Sequence, residues 1–278
     1  MDFIDAVIRY PFMQYALLTG VLASIACGVV GTYVVARRIT YIGGGIAHSV
    51  LGGMGIAYYL SVMKNIGWLH PLYGAAVVAV FAAVSIGWVS LKAREREDTL
   101  ISAIWALGMA VGILFISQTP GYSQDLMSYL FGNILMVSPS ELWLIAGLDV
   151  IILITVAMFF NQLQAVCFDE EFARVRGVNV EFFYLLLLAL TALTVVILVT
   201  VVGIVMVIAL LTLPAAVAGF FARTLKRTMI YASIASILFT VFGLWLSYTP
   251  NLPAGATIII LAGITYLIVM VLSGFKKA

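Results

Sequence analysis

Apolar residues dominate this chain in runs of about 20, each interrupted by a short stretch of polar residues, glycine or proline. A run of roughly 20 apolar residues is long enough to cross a bilayer as an α-helix. The sixth and seventh runs are separated only by Val202 and Gly203, so they form a tight pair or one broken element, and eight spans remain if one of them is re-entrant. The mixed segment 119–140 predicts an outer loop with a short, partly inserted helix. The candidate spans are 13–36, 39–61, 70–91, 99–118, 141–162, 181–201, 203–222, 229–247 and 254–273.

The composition agrees with this pattern. Of 278 residues, 64% are hydrophobic and 9% are charged, and the mean hydropathy is +1.18, whereas a soluble domain carries about 25% charged residues. We therefore predict an all-α polytopic bundle of eight or nine transmembrane helices, forming one membrane domain over residues 1–278. No room is left for a water-exposed catalytic domain. The net charge of +2 comes from basic residues in loops, so it does not indicate nucleic-acid binding, and Cys27 and Cys167 predict no disulfide framework.

The basic residues orient the spans, because loops on the cytoplasmic side of a membrane carry an excess of lysine and arginine. With nine spans, all but Arg9 and Lys64 of the 14 basic residues fall on one side. This side is predicted to be cytoplasmic, which places the N-terminus outside and the C-terminus inside. Its basic residues are Arg37, Arg38, Lys92, Arg94, Arg96, Arg174, Arg176, Arg223, Lys226, Arg227, Lys276 and Lys277.

His48 is one of two histidines and lies inside the second span, where an ionisable side chain is costly and commonly marks a path or a binding site. One interpretation is close helix packing, with the imidazole donating a single hydrogen bond. The other is that His48 is a transient metal ligand on an open helix face, because neutral imidazole binds zinc and other late first-row divalent ions. Small residues flank it on two neighbouring stripes, namely Gly44 and Gly52 on its own stripe, and Gly45, Ser49, Gly53 and Ala57 on the next.

The segment 168–179 is the largest polar block. Its acidic residues come first and its arginines later, which matches the dipole of a short helix. It is either an interfacial loop helix or a docking helix for a cytoplasmic partner. The residues on which the docking interpretation depends are Asp169, Glu170, Glu171, Ala173, Arg174 and Gly177.

Three further features lie within or beside the spans. Asp149 falls a third to halfway into the fifth span, so its carboxylate is a candidate for the wall of a path. Pro214 lies in the seventh span and predicts a kink, because proline removes one helical hydrogen bond. His70 and Glu141 lie at the outer ends of spans, where a solvated surface role is the simpler interpretation, although Glu141 could attract cations at an entrance.

Several motifs, in this order, resemble the permease subunits of bacterial and archaeal metal ABC importers of the zinc, manganese and iron type. The resemblance covers residues 10–273. The motifs are Arg37-Arg38-Ile39-Thr40-Tyr41, Gly45-Ile46-Ala47-His48-Ser49, the run from Leu126 to Leu135, Phe168-Asp169-Glu170-Glu171-Phe172-Ala173, the run from Ala209 to Ala216, and Pro253-Ala254-Gly255-Ala256-Thr257.

The resemblance implies a partner assembly in the cell membrane. Its parts are a second permease copy, a cytoplasmic ABC ATPase dimer and an extracytoplasmic metal-binding protein. It also implies that the segment 168–179 is the coupling helix seated on the ATPase. The cargo is a divalent metal ion, with no permanently bound cofactor, and the chain is not an enzyme. Consistently, the sequence contains no phosphate-binding loop, so another chain must hydrolyse ATP.

The chain departs from the family pattern at one position. Members typically carry an aspartate four residues before this histidine, and the pair is thought to contact the passing ion, but Gly44 occupies that position here.

Alternative functions are an ion-gradient-driven secondary transporter, an ABC permease for a metal chelate, and an intramembrane enzyme. A secondary transporter would usually need several intramembrane carboxylates. An intramembrane enzyme would need a metal motif or a nucleophile with its base.

Overall fold

The computed structural model describes residues 3–92, 97–120, 132, 134–204, 207–248, 250 and 252–275. Within these residues the chain forms eleven α-helices, one short 3-10 helix and no strand, which confirms the predicted all-α class. The helices are α1 (Phe3–Arg9), α2 (Pro11–Arg37), α3 (Thr40–Met63), α4 (Pro71–Lys92), α5 (Glu97–Ser117), α6 (Pro139–Phe168), α7 (Glu170–Val175), α8 (Val180–Val202), α9 (Val207–Phe221), α10 (Leu225–Tyr248) and α11 (Ala254–Phe275).

Eight of these helices are long and apolar enough to cross a membrane: α2 to α6, α8, α10 and α11. The ninth apolar helix, α9, has only 15 residues and is about 22 Å long. The chain breaks between α8 and α9 at Gly203, whose φ of 78° lies in the region that favours glycine. The predicted bundle of eight or nine apolar helices is thus confirmed. It has eight long helices and one short helix, α9, which lies between α8 and α10 in the chain.

The positions of the helix ends give the relative direction of α8 and α9. Both α2 and α6 end beside a groove of about 290 Å³, and the turn after α9 lines the same groove. Its walls include Ala36, Phe168 and Arg223. Because α8 starts from this side and α9 returns to it, the two helices run in opposite directions.

The core lies around α2 and α8, the two spans that are most buried inside the bundle. On one side, α3 packs against α4 and α5; on the other, α9 packs against α10 and α11, while α6 packs against α2 and α8. The outward faces of α5 and α11 are apolar and largely exposed, as expected for surfaces that contact lipid or another membrane chain.

Two details differ from the predicted spans. The fifth span, predicted over 141–162, continues as α6 to Phe168, because Leu163 and Val166 extend its buried face until Asp169 ends the helix. Most of the segment 119–140 lies outside the described residues, but its 3-10 helix, Ile134–Met136, packs against α2 and α8. Ile134 is fully buried there, so this part of the segment packs against the bundle, and its partial insertion in the membrane stays a prediction.

Candidate functional site

His48 lies in α3 and stacks on Trp105 of α5, with ring centroids 4.0 Å apart and planes 9° from parallel. Its Nδ1 atom is buried and has no hydrogen-bond partner among the described residues. A histidine that serves packing alone is expected to satisfy its ring nitrogens, because an unpaired buried polar atom costs about 1–3 kcal/mol. Nδ1 of the stacked His48 ring is therefore free to bind another group, either through its lone pair or by donating a proton in a hydrogen bond.

The small residues around His48 are buried in contacts between helices. A side-chain carbon at Gly52 would lie 2.8 Å from the carbonyl oxygen of Gly108 in α5, and one at Gly45 would lie 2.5 Å from Ile101 in α5. Ser49 touches Gly108 as well, while Gly53 lies against the backbone of Gly74 in α4. The face beside His48 is thus filled by α4 and α5 in this structure, and the open face expected from its glycines is absent among the described residues.

Gly44 lies one turn before His48 and faces a different helix. A side-chain carbon at this position would lie 2.6 Å from Cδ1 of Ile208 in α9. The space that an aspartate side chain at position 44 would occupy is therefore filled by the side chain of Ile208. Ile208 is itself half-buried, as is His48.

Asp149 lies in α6 and is 2% exposed. Its carboxyl group lies beside the backbone of Ala26 in α2, and Oδ1 has no hydrogen-bond partner among the described residues. The contacts of Asp149 are thus with α2, whereas those of His48 are with α5. Nowhere in the described chain do three or more His, Cys, Asp or Glu side chains come together as a metal site.

Pro214 lies inside α9, which continues as an α-helix through it. Proline has no N–H, so the carbonyl of Leu210, four residues earlier, lacks its usual helical donor. The thiol of Cys27 in α2 donates to this carbonyl, with Sγ and the oxygen 2.7 Å apart. The kink at Pro214 stays a prediction, and sequence reasoning missed the thiol. Non-helical backbone angles are found at Phe159 of α6, at a position without proline or glycine that no sequence signal marked.

The segment 168–179 folds as a short helix with defined ends. The carboxylate of Asp169 accepts from the N–H of Phe172 at the start of α7, and Gly177 adopts a φ of 77° after its end. Ala173 is fully buried against the bundle. Apolar side chains on the other faces are exposed, most strongly Val175 at 87%, together with Phe168 and Phe172. The segment thus presents an apolar surface on the side predicted to be cytoplasmic.

Two further contacts were missed by sequence reasoning, because each joins distant parts of the chain. The guanidinium of Arg37, the last residue of α2, forms an ion pair with Glu170 in α7. At the opposite end of the bundle, Nε2 of His70 lies 3.7 Å from Oε1 of Glu141, at the wall of a cleft of about 400 Å³. The other nitrogen of His70 accepts from the N–H of Leu72, and Glu141 closes a capping box with Ser138 at the start of α6. Both of these groups therefore also have local structural roles.

Comparison with known proteins places these features in a family. The sequence matches the model of the ABC 3 transport family over residues 9–273. The chain is 46% identical to an uncharacterized membrane protein, slr2045, of Synechocystis, over 94% of this chain and 90% of that protein. It is 35% identical to the manganese transport system membrane protein MntC of Listeria monocytogenes, over 96% and 93% of the two chains. Among solved structures, it resembles PsaBC from Streptococcus pneumoniae in complex with Fab, with a TM-score of 0.86, 32% identity, and coverage of 96% of this chain and 94% of that chain.

These matches extend over nearly the whole chain, including the helix of His48 and the segment 168–179. The apolar helices and the membrane-protein relatives together make it a multi-pass protein of the cell membrane. The resemblance inferred from the motifs is confirmed at this level: the chain belongs to the ABC 3 transport family.

Proposed function

We propose that this chain is the permease subunit of an ATP-driven importer that carries a divalent metal ion into the cytoplasm. The observation that carries the proposal is the match, over 96% of the chain, to a manganese transport membrane protein. Manganese is the first candidate cargo for this reason, with zinc second and iron third. Imidazole suits zinc and iron better than manganese, so the priority given to manganese rests on the relative and not on His48.

The ATPase is proposed to bind at α7. A permease without a phosphate-binding loop needs a separate nucleotide-hydrolysing partner, and α7 offers an apolar surface on the predicted cytoplasmic side. Val175 and Phe172 are its exposed apolar side chains. Exposed apolar side chains rimmed by charge are typical of a protein interface. We assign the adjacent Glu171, Arg174 and Gly177 to the same interface.

A second copy of the permease and an extracytoplasmic metal-binding protein complete the proposed assembly. The apolar, largely exposed faces of α5 and α11 are suited to contact with lipid or with another membrane chain. The cleft with His70 and Glu141 opens on the opposite side from α7, where a metal-binding protein would dock. The two permease copies are proposed to enclose the path between them.

His48 is proposed to contact the ion as it passes. Its buried Nδ1 lacks a partner among the described residues, so it can bind and release an ion without breaking a protein hydrogen bond. A single imidazole binds weakly, which suits transit. Asp149 is kept as a second candidate wall residue on the basis of its buried, partly unpaired carboxylate. The neighbours Gly44, Gly45, Ser49, Gly52 and Gly53 would then shape the helix beside the path rather than line it within one protomer.

The proposal is tested by purifying the chain with its candidate ATPase and metal-binding protein and placing the complex in liposomes. Uptake of Mn²⁺ or Zn²⁺ is expected to need both ATP and the binding protein. His48→Ala is expected to reduce uptake at unchanged expression and with unchanged co-purification of the ATPase. Uptake without ATP or a partner would contradict an ABC importer and favour a gradient-driven transporter. Uptake of a metal chelate but not of the free ion would assign a different cargo.

The docking surface has its own test. Val175→Asp places a charge on the exposed apolar face of α7 and is expected to abolish co-purification of the ATPase. Val62→Asp is the control, because Val62 is also exposed but lies at the opposite end of the bundle, near the end of α3. ATPase binding that survives Val175→Asp would remove α7 from the interface.

A further inference from the structure

Arg37 connects three helices at the predicted cytoplasmic side. It is the last residue of α2, and its guanidinium pairs with the carboxylate of Glu170 in the first turn of α7. The same guanidinium lies over the ring of Tyr184 in α8, 5.5 Å from the ring centroid. The two charged side chains are only 24% and 34% exposed, and Tyr184 is buried. Partial shielding from water and the aromatic contact both make the pair stronger than an ordinary surface ion pair.

The segment that contains Glu170 is stiff. Asp169 caps the start of α7, and the N–H of Val178 returns to the carbonyl of Ala173 at its end. Asn179 then caps α8 by accepting from the N–H of Phe182. A push on the exposed face of α7 is therefore expected to move the segment as a unit rather than to deform it.

The chain on the other side of Arg37 is equally tight. Arg38 has a φ of 63°, and its N–H bonds to the carbonyls of Val34 and Val35. The N–H of Ile39 also returns to Val34, and α3 begins at the next residue. No flexible loop separates Arg37 from α3, the helix in which His48 lies eight residues after the first. A displacement at Arg37 is thus transmitted to the start of α3.

We propose that Arg37 is a positioning residue that couples movement of α7 to the α2–α3 corner, and through it to the helix of His48. Among the described residues, its pair with Glu170 is the one ion pair between a basic side chain and the segment 168–179. The inference rests on the proposed function, because a docked ATPase must supply the movement. The ion pair, rather than general packing, is the element that converts a displacement of α7 into one of α2.

The test uses the whole complex of permease, ATPase and binding protein in liposomes, with Mn²⁺ as the probe. Arg37→Gln is expected to leave ATPase co-purification unchanged but to lower the metal ions imported per ATP hydrolysed by roughly tenfold or more, the size expected for a shielded, charge-assisted bond. Glu170→Gln should give the same loss. The double variant should lose no more than either single variant, because both remove one interaction.

Arg38→Gln is the matched control, since Arg38 is adjacent, exposed and without an ion pair in the described structure. Unchanged transport per ATP in both single variants would overturn the coupling role while leaving the proposed function standing. Loss of ATPase binding in Arg37→Gln would overturn it too, because the residue would then serve assembly. Additive losses in the double variant would show that the two side chains act separately. If the Arg37→Gln protein fails to insert into the membrane, Glu170→Gln and Arg37→Lys are used instead to compare the metal ions imported per ATP hydrolysed. A wild-type complex that neither assembles nor transports would instead refute the proposed function.

Discussion

The contact between Cys27 and α9 makes a prediction that can be worked out from its geometry. Pro214 cannot donate to the carbonyl of Leu210, and the thiol of Cys27 does so from the neighbouring helix. Cys27→Ala removes this donor and leaves the buried carbonyl unpaired. Hydrogen bonds between membrane helices contribute about 0.6 kcal/mol on average and about 1.7 kcal/mol at most. We expect a loss close to 1 kcal/mol from the hydrogen bond, in addition to the loss of packing by the sulfur.

For a protein of this size, 1 kcal/mol corresponds to a shift in the melting temperature of roughly 2–4 °C. The assay is the fraction of fluorescently tagged protein that stays monodisperse in detergent after heating. Cys27→Ser keeps a donor and should lose less than Cys27→Ala. Cys167→Ala is the control for loss of a buried sulfur, because Cys167 is likewise a free, buried cysteine.

A double-mutant cycle separates the hydrogen bond from the packing. Pro214→Ala restores an N–H at the position that normally pairs with the carbonyl of Leu210, so the carbonyl no longer needs the thiol. Adding Cys27→Ala to Pro214→Ala should then cost only the packing contribution. An equal loss in the two backgrounds would refute the reasoning, since the thiol would then contribute nothing to this carbonyl.

Three other substitutions test the packing around the site. Gly52→Leu should destabilise the fold by about 1–3 kcal/mol in the same heating assay because the side chain meets α5, whereas Gly263→Leu, with no atom within 4 Å, should not. Gly44→Asp should lower the melting temperature by colliding with Ile208, and adding Ile208→Ala should recover part of the loss; an unchanged melting temperature in the single variant would show that the site already accepts a carboxylate. Ser138→Ala removes the cap of α6 and should cost about 1 kcal/mol, measured by heating; no loss would mean that the cap is replaced by water.

The spans were predictable because a helix that crosses a bilayer needs a continuous apolar run, which can be read directly along the sequence. A run of about 20 apolar residues has few alternatives to crossing as a helix. The positions of the charges then constrain the number of passes, because with nine passes all but two of the 14 basic residues fall on one side, which favours α8 and α9 as separate passes over one merged crossing. The deviations occur where the helix extends beyond the apolar run, as at the end of α6, where the face toward the bundle stays buried up to Phe168.

The partners of each helix were not predictable from hydrophobicity. Lipid is as apolar as the bundle interior, so positions that face either one carry the same residues. The contacts that organise the site join residues far apart in sequence: 133 positions separate Arg37 from Glu170, and 183 separate Cys27 from Leu210. In the sequence, Arg37 and Glu170 look like ordinary loop charges and Cys27 looks like a small apolar residue of a span. The sequence pattern does not indicate the distant partner of any of them.

The glycines beside His48 show how the same residue type supports two different expectations. A bare helix face accepts either a ligand or a second backbone, and the structure places backbone there: Gly52 meets Gly108 of α5 and Gly53 meets Gly74 of α4. Backbone contacts of this kind cannot slide without steric overlap, so α3, α4 and α5 are held as one unit. The contact of α3 with α9 is different, because Gly44 meets only the end of the Ile208 side chain, which can change rotamer. This more yielding contact lies one turn before His48, where α3 meets α9, so packing can change there while the backbone contacts of α3 with α4 and α5 stay in place.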